Sequence, residues 1–251
     1  MRNLDAVRGM LNEAASAAGR RAPNLVAVTK AVDDDIAAWV LDAGCRDLGE
    51  NRADAFARRA ERFASAGLEA RWHFIGHLQR NKVRRVLEHV HVLHSVDSER
   101  LADAVARVAE ELGRQIDVFI QVNLTGEDEK HGFGGDEAAA AALRLAESPA
   151  ISVRGLMAMG PLRSHRTARE VFEEARELAR SLEDEVPEAF HQRRCELSMG
   201  MSGDAALATE LGSDLVRVGS ALFVDLPHPA TLDQAPQPPL TTDALKRAED
   251  D

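Results

Sequence analysis

Eight short apolar runs recur along this chain, each followed by a stretch whose apolar residues return at helical spacing. Parallel neighbours in a sheet need a long crossover between them, so strands alternating with helices specify a parallel sheet. Eight such units point to an α/β fold, a single (β/α)8 TIM barrel, with an open doubly wound sheet as the alternative arrangement. The strand runs fall at 24–29, 46–49, 71–76, 91–96, 115–122, 151–157, 195–199 and 214–218. Helical stretches cover 33–43, 51–66, 79–89, 98–112, 136–147, 167–185 and 203–211, and an amphipathic helix at 2–19 precedes the first strand. Gly44, Gly67, Gly113 and the Ser148-Pro149 pair close four of the helices. The barrel is read as residues 1–225. Beyond it, Pro227, Pro229, Pro236, Pro238 and Pro239 lie among Thr, Gln and Asp, a composition with too little apolar surface for a core, so 226–251 is read as a disordered tail.

Composition narrows the function classes. With 45% hydrophobic residues in a chain of 251, one large core is available and no second domain is needed. A formal net charge of -11 argues against a nucleic-acid partner, because phosphate-backbone binding draws on clustered cations. The opening residues mix Arg, Asp, Glu and Ala without a signal-peptide core, and no later segment approaches a membrane span, so a cytoplasmic protein is expected. Cys45 and Cys195 have neither zinc nor redox spacing; they read as reduced packing residues, and no metal site is expected.

In a (β/α)8 barrel, ligands bind at the C-terminal ends of the strands. Lys30 stands at the end of the first run, and lysine occurs only at 30, 82, 130 and 246, with arginine supplying nearly all other positive charge. A guanidinium cannot form an imine, so a lysine kept at a strand end is a candidate Schiff-base former. After the seventh run, Gly200, Ser202 and Gly203 lie in a turn opening a helix, and Gly219 and Ser220 repeat the arrangement after the eighth, beside Arg217. Free backbone N–H groups in two such turns make a phosphate cradle at the position this fold commonly uses. Lysine and cradle together point to an imine with a phosphorylated aldehyde.

Six motifs in order, Leu25-Val-Ala-Val-Thr-Lys30, Gly49-Glu50-Asn51, Trp72-His-Phe-Ile-Gly76 followed by Leu78-Gln79 and Asn81-Lys82, Gly155-Leu-Met-Ala-Met159, Leu197-Ser-Met-Gly-Met-Ser202 and Val216-Arg-Val-Gly219, resemble the pyridoxal phosphate homeostasis protein family over roughly 4–224. The resemblance implies a monomeric barrel of the alanine-racemase type, fold type III among pyridoxal phosphate proteins. It implies pyridoxal 5'-phosphate held as an imine on Lys30, with contacts from Asn51, Ser202, Arg217, Gly219 and Ser220 and with Met199 and Gly200 lining the phosphate side. It also implies a role in buffering or delivering the cofactor, with apo pyridoxal phosphate enzymes as recipients, no established turnover, and help from Lys82 in transfer. The arginine-rich stretch 80–85 and the proline-rich tail depart from the family pattern.

Two other classes remain. A racemase or decarboxylase on the same fold needs a second proton-transfer group, which barrel racemases take as a tyrosine from a separate domain. This chain has no tyrosine, and His77 and His131 are the nearest substitutes. An interaction protein would dock through the helix at 79–89, which carries Arg80, Lys82, Arg84 and Arg85; the plainer reading is a solvated outer helix.

Overall fold

A computed structural model describes residues 2–127 and 131–224. The strands are β1 (Asn24–Val28), β2 (Asp47–Glu50), β3 (Arg71–Phe74), β4 (Val92–Val96), β5 (Ile116–Gln121), β6 (Ile151–Met157), β7 (Glu196–Ser198) and β8 (Leu215–Val218). Each pairs in parallel with the next, and β8 pairs with β1 to close the barrel, Val26 lying opposite Arg217. The open sheet is thereby ruled out. The helices are α1 (Arg2–Ala17), α2 (Asp34–Asp42), α3 (Ala53–Ser65), α4 (Val83–Leu87), α5 (Glu99–Leu112), α6 (Ala138–Ala146), α7 (Ala168–Glu185) and α8 (Ala205–Glu210). The expected tail at 226–251 lies outside the described residues.

Local chemistry sets several boundaries. The Asp33 carboxylate accepts the N–H of Ile36 and starts α2. Thr167 and Glu170 form a reciprocal capping box at the head of α7. Gly113 ends α5 in the left-handed conformation at φ 61°. The expected helix at 79–89 is a correction: a 3-10 turn at Arg80–Lys82 leads into the five-residue α4. Val83, Val86 and Leu87 are the buried face, and one turn of helix is enough to seat them before the chain drops into β4.

Side chains alternate between the barrel lumen and an outer layer under the helices. The lumen has a charged floor near the strand starts, where Arg71 bonds Asp117 at 2.8 Å and Arg154 bonds Glu196 at 2.5 Å. Above it, Val26, Val92, Phe119, Met157 and Leu215 form an apolar layer. The outer layer holds the larger core. There Phe56 of α3 packs edge-on against Trp72 at 5.7 Å and lies 5.9 Å from Phe74, and Phe63 meets Trp72 at 5.2 Å. The buried residues Leu4, Val7, Leu11 and Ala15 give α1 an apolar face, and that helix packs against α8. Cys45 and Cys195 are buried and free, and burial raises the Cys195 thiol above its ordinary range. No described helix is long and apolar enough to cross a membrane.

Phe56 is fully buried at the centre of this aromatic group. Phe56→Ala should therefore cost about 3–5 kcal/mol of stability, read as a lower midpoint in chemical denaturation.

Candidate functional site

The alternation along β1 decides where its last side chains go. Val26 faces the lumen and Ala27 the outer layer, and Thr29 is outward, its hydroxyl donating to Glu50 Oε1 at 2.7 Å. Lys30 therefore emerges on the lumen side of the rim, and it is exposed.

A buried ionic clamp holds the turn that carries this lysine. Arg59 of α3 donates from Nε to Asp34 Oδ1 at 2.6 Å and from Nη1 to Glu50 Oε1 and, at 2.8 Å, to the Thr29 carbonyl. Its Nη2 reaches the Val32 carbonyl at 2.5 Å, and Arg62 binds the second oxygen of Asp34 at 3.0 Å. Burial opposes the Arg59 charge, but Glu50 and Asp34 outweigh it and hold the guanidinium above its ordinary value. The carbonyls on either side of Lys30 are thus tied to α2, α3 and β2. Glu50 belongs to a rim motif, but nothing in its sequence neighbourhood marks Arg59 or Asp34 as its partners.

Beside β1 on the rim, the turns after β7 and β8 are joined by Ser202, whose Oγ accepts the N–H groups of Gly219 and Ala221, both at 3.3 Å. The N–H groups of Ser202, Gly203 and Ser220 have no acceptor among the described residues. Gly200 makes the turn possible: its φ is +92°, and a Cβ there would meet Ala208 Cβ at 2.5 Å. The helix behind it, α8, has only six residues, so the anion donors are the turns' own amides. Met199 is fully buried with its side chain in the outer layer, so only its backbone borders the cradle.

Arg217 enters from below. It lies inward on β8, and its Nη1 donates to the Ser198 carbonyl at 2.7 Å and hydroxyl at 2.6 Å, its Nη2 to the Ala158 carbonyl at 3.0 Å. A guanidinium has five N–H donors, so two are left for a ligand. Burial pushes its pKa down to about 10, with Asp204 pulling the other way, and it stays a cation at neutral pH. On the other flank of β1, just after β2, Asn51 Oδ1 is buried without a hydrogen-bond partner. Gly76 packs against that residue so closely that a Cβ would lie 2.2 Å from its carbonyl oxygen.

Other candidates are drawn elsewhere. Lys82 Nζ binds the Asp54 carboxylate at 3.0 Å, Arg85 shares that carboxylate at 3.2 Å, and Arg84 pairs with Glu111. Three of the four cations proposed as a docking face are thus spent on neighbouring helices, as a solvated outer surface would have it. His77 binds Asp97 at 2.9 Å and stacks on His131 at 4.3 Å. These three residues offer ligand atoms within 4.8 Å of one another, a cluster that could accept a divalent ion and that residue spacing does not announce.

Residues 3–227 match the family described as alanine racemase, N-terminal domain. The chain is 40% identical over 225 residues to a pyridoxal phosphate homeostasis protein of Deinococcus radiodurans, covering 88% of this chain and 99% of that one. Among solved structures it is similar to PipY of Synechococcus elongatus PCC7942 with PLP bound, at 32% identity and a TM-score of 0.77 over 88% of this chain and 98% of that one. An alanine racemase of Clostridium difficile 630 shares the fold, with a TM-score of 0.64 at 16% identity over 88% of this chain and 56% of that one.

Removing one partner of a buried ion group leaves the others uncompensated. Arg59→Leu should cost about 3–5 kcal/mol in equilibrium denaturation, since Glu50 and Asp34 stay behind in the outer layer.

Proposed function

The chain belongs to the alanine racemase N-terminal domain family and to its pyridoxal phosphate homeostasis proteins, and we propose that it binds pyridoxal 5'-phosphate on Lys30 and buffers or delivers that cofactor in the cell. One observation carries the proposal: a lumen-side amine and a set of unpaired backbone N–H groups share one barrel rim. The cofactor supplies an aldehyde that condenses reversibly with an amine, releasing water, and an electron-accepting ring.

The residues present fit such a group. Lys30 provides the amine, and the clamp on Thr29 and Val32 fixes where it starts. The amides of Ser202, Gly203 and Ser220 hold the phosphate, with Ser202 keeping the two turns together. Arg217 offers two charged donors from beneath, and the orphaned Asn51 oxygen accepts a donor from the ligand. Met199 and Gly200 back the phosphate side through the chain's path alone.

Binding without turnover is the second half of the proposal. The chain has no tyrosine to act as a second base, and its rim histidines are engaged with each other and with Asp97. The recipients proposed are apo pyridoxal phosphate enzymes, and the form proposed is a cytoplasmic monomer.

Purified protein should be yellow, and borohydride should discharge the colour while fixing a phosphopyridoxyl mass on Lys30. Lys30→Ala should stay colourless with its fold intact by circular dichroism; a colourless wild type that gains no band on adding pyridoxal phosphate would sink the proposal. In deuterated water, neither alanine enantiomer should exchange its Cα proton faster than in a free pyridoxal phosphate control, whereas stereospecific exchange at enzymatic rates would restore the racemase.

A further inference from the structure

Four hydrogen bonds run through the barrel from its floor to Arg217. Asp47 Oδ1 meets His73 Nε2 at 2.8 Å, His73 Nδ1 meets His94 Nε2 at 2.8 Å, His94 Nδ1 meets Ser198 Oγ at 2.8 Å, and Arg217 Nη1 donates to that same oxygen at 2.6 Å. Both imidazoles are fully buried, and Phe119 stacks on His94 at 4.9 Å. A polar thread through the middle of a packed lumen is costly unless every member is satisfied.

The two ends dictate the direction of every bond. A guanidinium cannot accept, so Ser198 Oγ receives the Arg217 proton. Asp47 is an anion at neutral pH: burial alone would raise its pKa, but His73 and Arg71 outweigh that and hold it below the usual range, so it can only accept. His73 therefore carries its proton on Nε2. Burial keeps both imidazoles neutral, most strongly His94, so each has one N–H. His73 Nδ1 must then accept from His94 Nε2, and His94 Nδ1 must accept from the Ser198 hydroxyl. Each link holds one proton pointing toward the floor, and the thread itself ends in a guanidinium above and a carboxylate below.

We propose that His94, His73 and Asp47 are positioning residues for the ligand-binding guanidinium. They commit the Ser198 hydroxyl proton to His94, and its lone pairs to Arg217, so that Arg217 is held by three fixed acceptors with two donors kept for the ligand. Without His94, the hydroxyl rotor is free to turn its proton toward the guanidinium, and the Arg217 fork loses one of its anchors. All three act through Ser198 and Arg217. This rests on the reading of the rim as a pyridoxal phosphate site.

The test measures pyridoxal phosphate affinity and the absorption maximum of the bound cofactor in the full chain, alongside the denaturation midpoint of each variant without ligand. His94→Phe, which keeps a flat ring against Phe119, should weaken binding about tenfold, the effect of misplacing one charge-assisted hydrogen bond, and should shift the absorption maximum. Its ligand-free midpoint should fall modestly, because His73 Nδ1 and the Ser198 hydroxyl lose a buried partner, and the losses of affinity and spectrum should exceed what that fall accounts for. His94→Gln, with one acceptor and one amide donor, should recover most of the affinity and the wild-type spectrum. Should His94→Phe fail to fold, Asp47→Leu, at the far end of the thread, should move affinity and spectrum in the same direction by less. Unchanged affinity and spectrum in these variants, or losses that only follow a falling midpoint, would overturn the positioning role. A wild type that binds no pyridoxal phosphate would instead remove the site reading itself.

Discussion

A closed parallel sheet has no free edge, so every side chain on its strands is assigned either to the lumen or to the layer beneath the helices. That division governs the whole rim. It turns Lys30 inward and Thr29 outward, so that the amine faces the mouth while the residue before it is gripped from behind. It also sets Arg217 inside β8 while Val216 and Val218 pack outward. A slip of one residue in the pairing of β8 with β1 would exchange these roles and dismantle the site.

The two buried polar systems handle charge in opposite ways. In the outer layer Arg59 meets Glu50 and Asp34 directly, so cation and anions neutralise one another at hydrogen-bond distance. In the lumen the Arg217 cation and the Asp47 anion stand at the ends of a neutral relay, joined by dipoles rather than by contact. The first arrangement stiffens a loop. The second leaves the cation incompletely compensated, and burial has already begun to disfavour it, which is the condition under which an anion placed beside it gains most.

Much of this was legible in the residues. The eight units, their order and the rim motifs around Lys30, Ser202 and Gly219 follow from periodicity and from where glycine interrupts it. The helix expected at 79–89 failed because arginine and lysine spacing suits a helix as well as a turn, and only the buried Val83, Val86 and Leu87 show how little of it packs. The Arg59 clamp and the histidine relay were out of reach for another reason. His73, His94 and Ser198 are unremarkable one by one; they matter because β3, β4 and β7 set them at inward positions that touch, and that requires the register. Polar residues at inward positions of several strands were the available signal.

The floor of the lumen, where Arg71 joins Asp117 and Arg154 joins Glu196, sits under a layer of packed apolar side chains. The barrel is therefore a cup and not a tube. Whatever enters at the rim must leave by the rim, past the same turns that received it. Entry and exit share one doorway, so the two exchanges exclude each other in time.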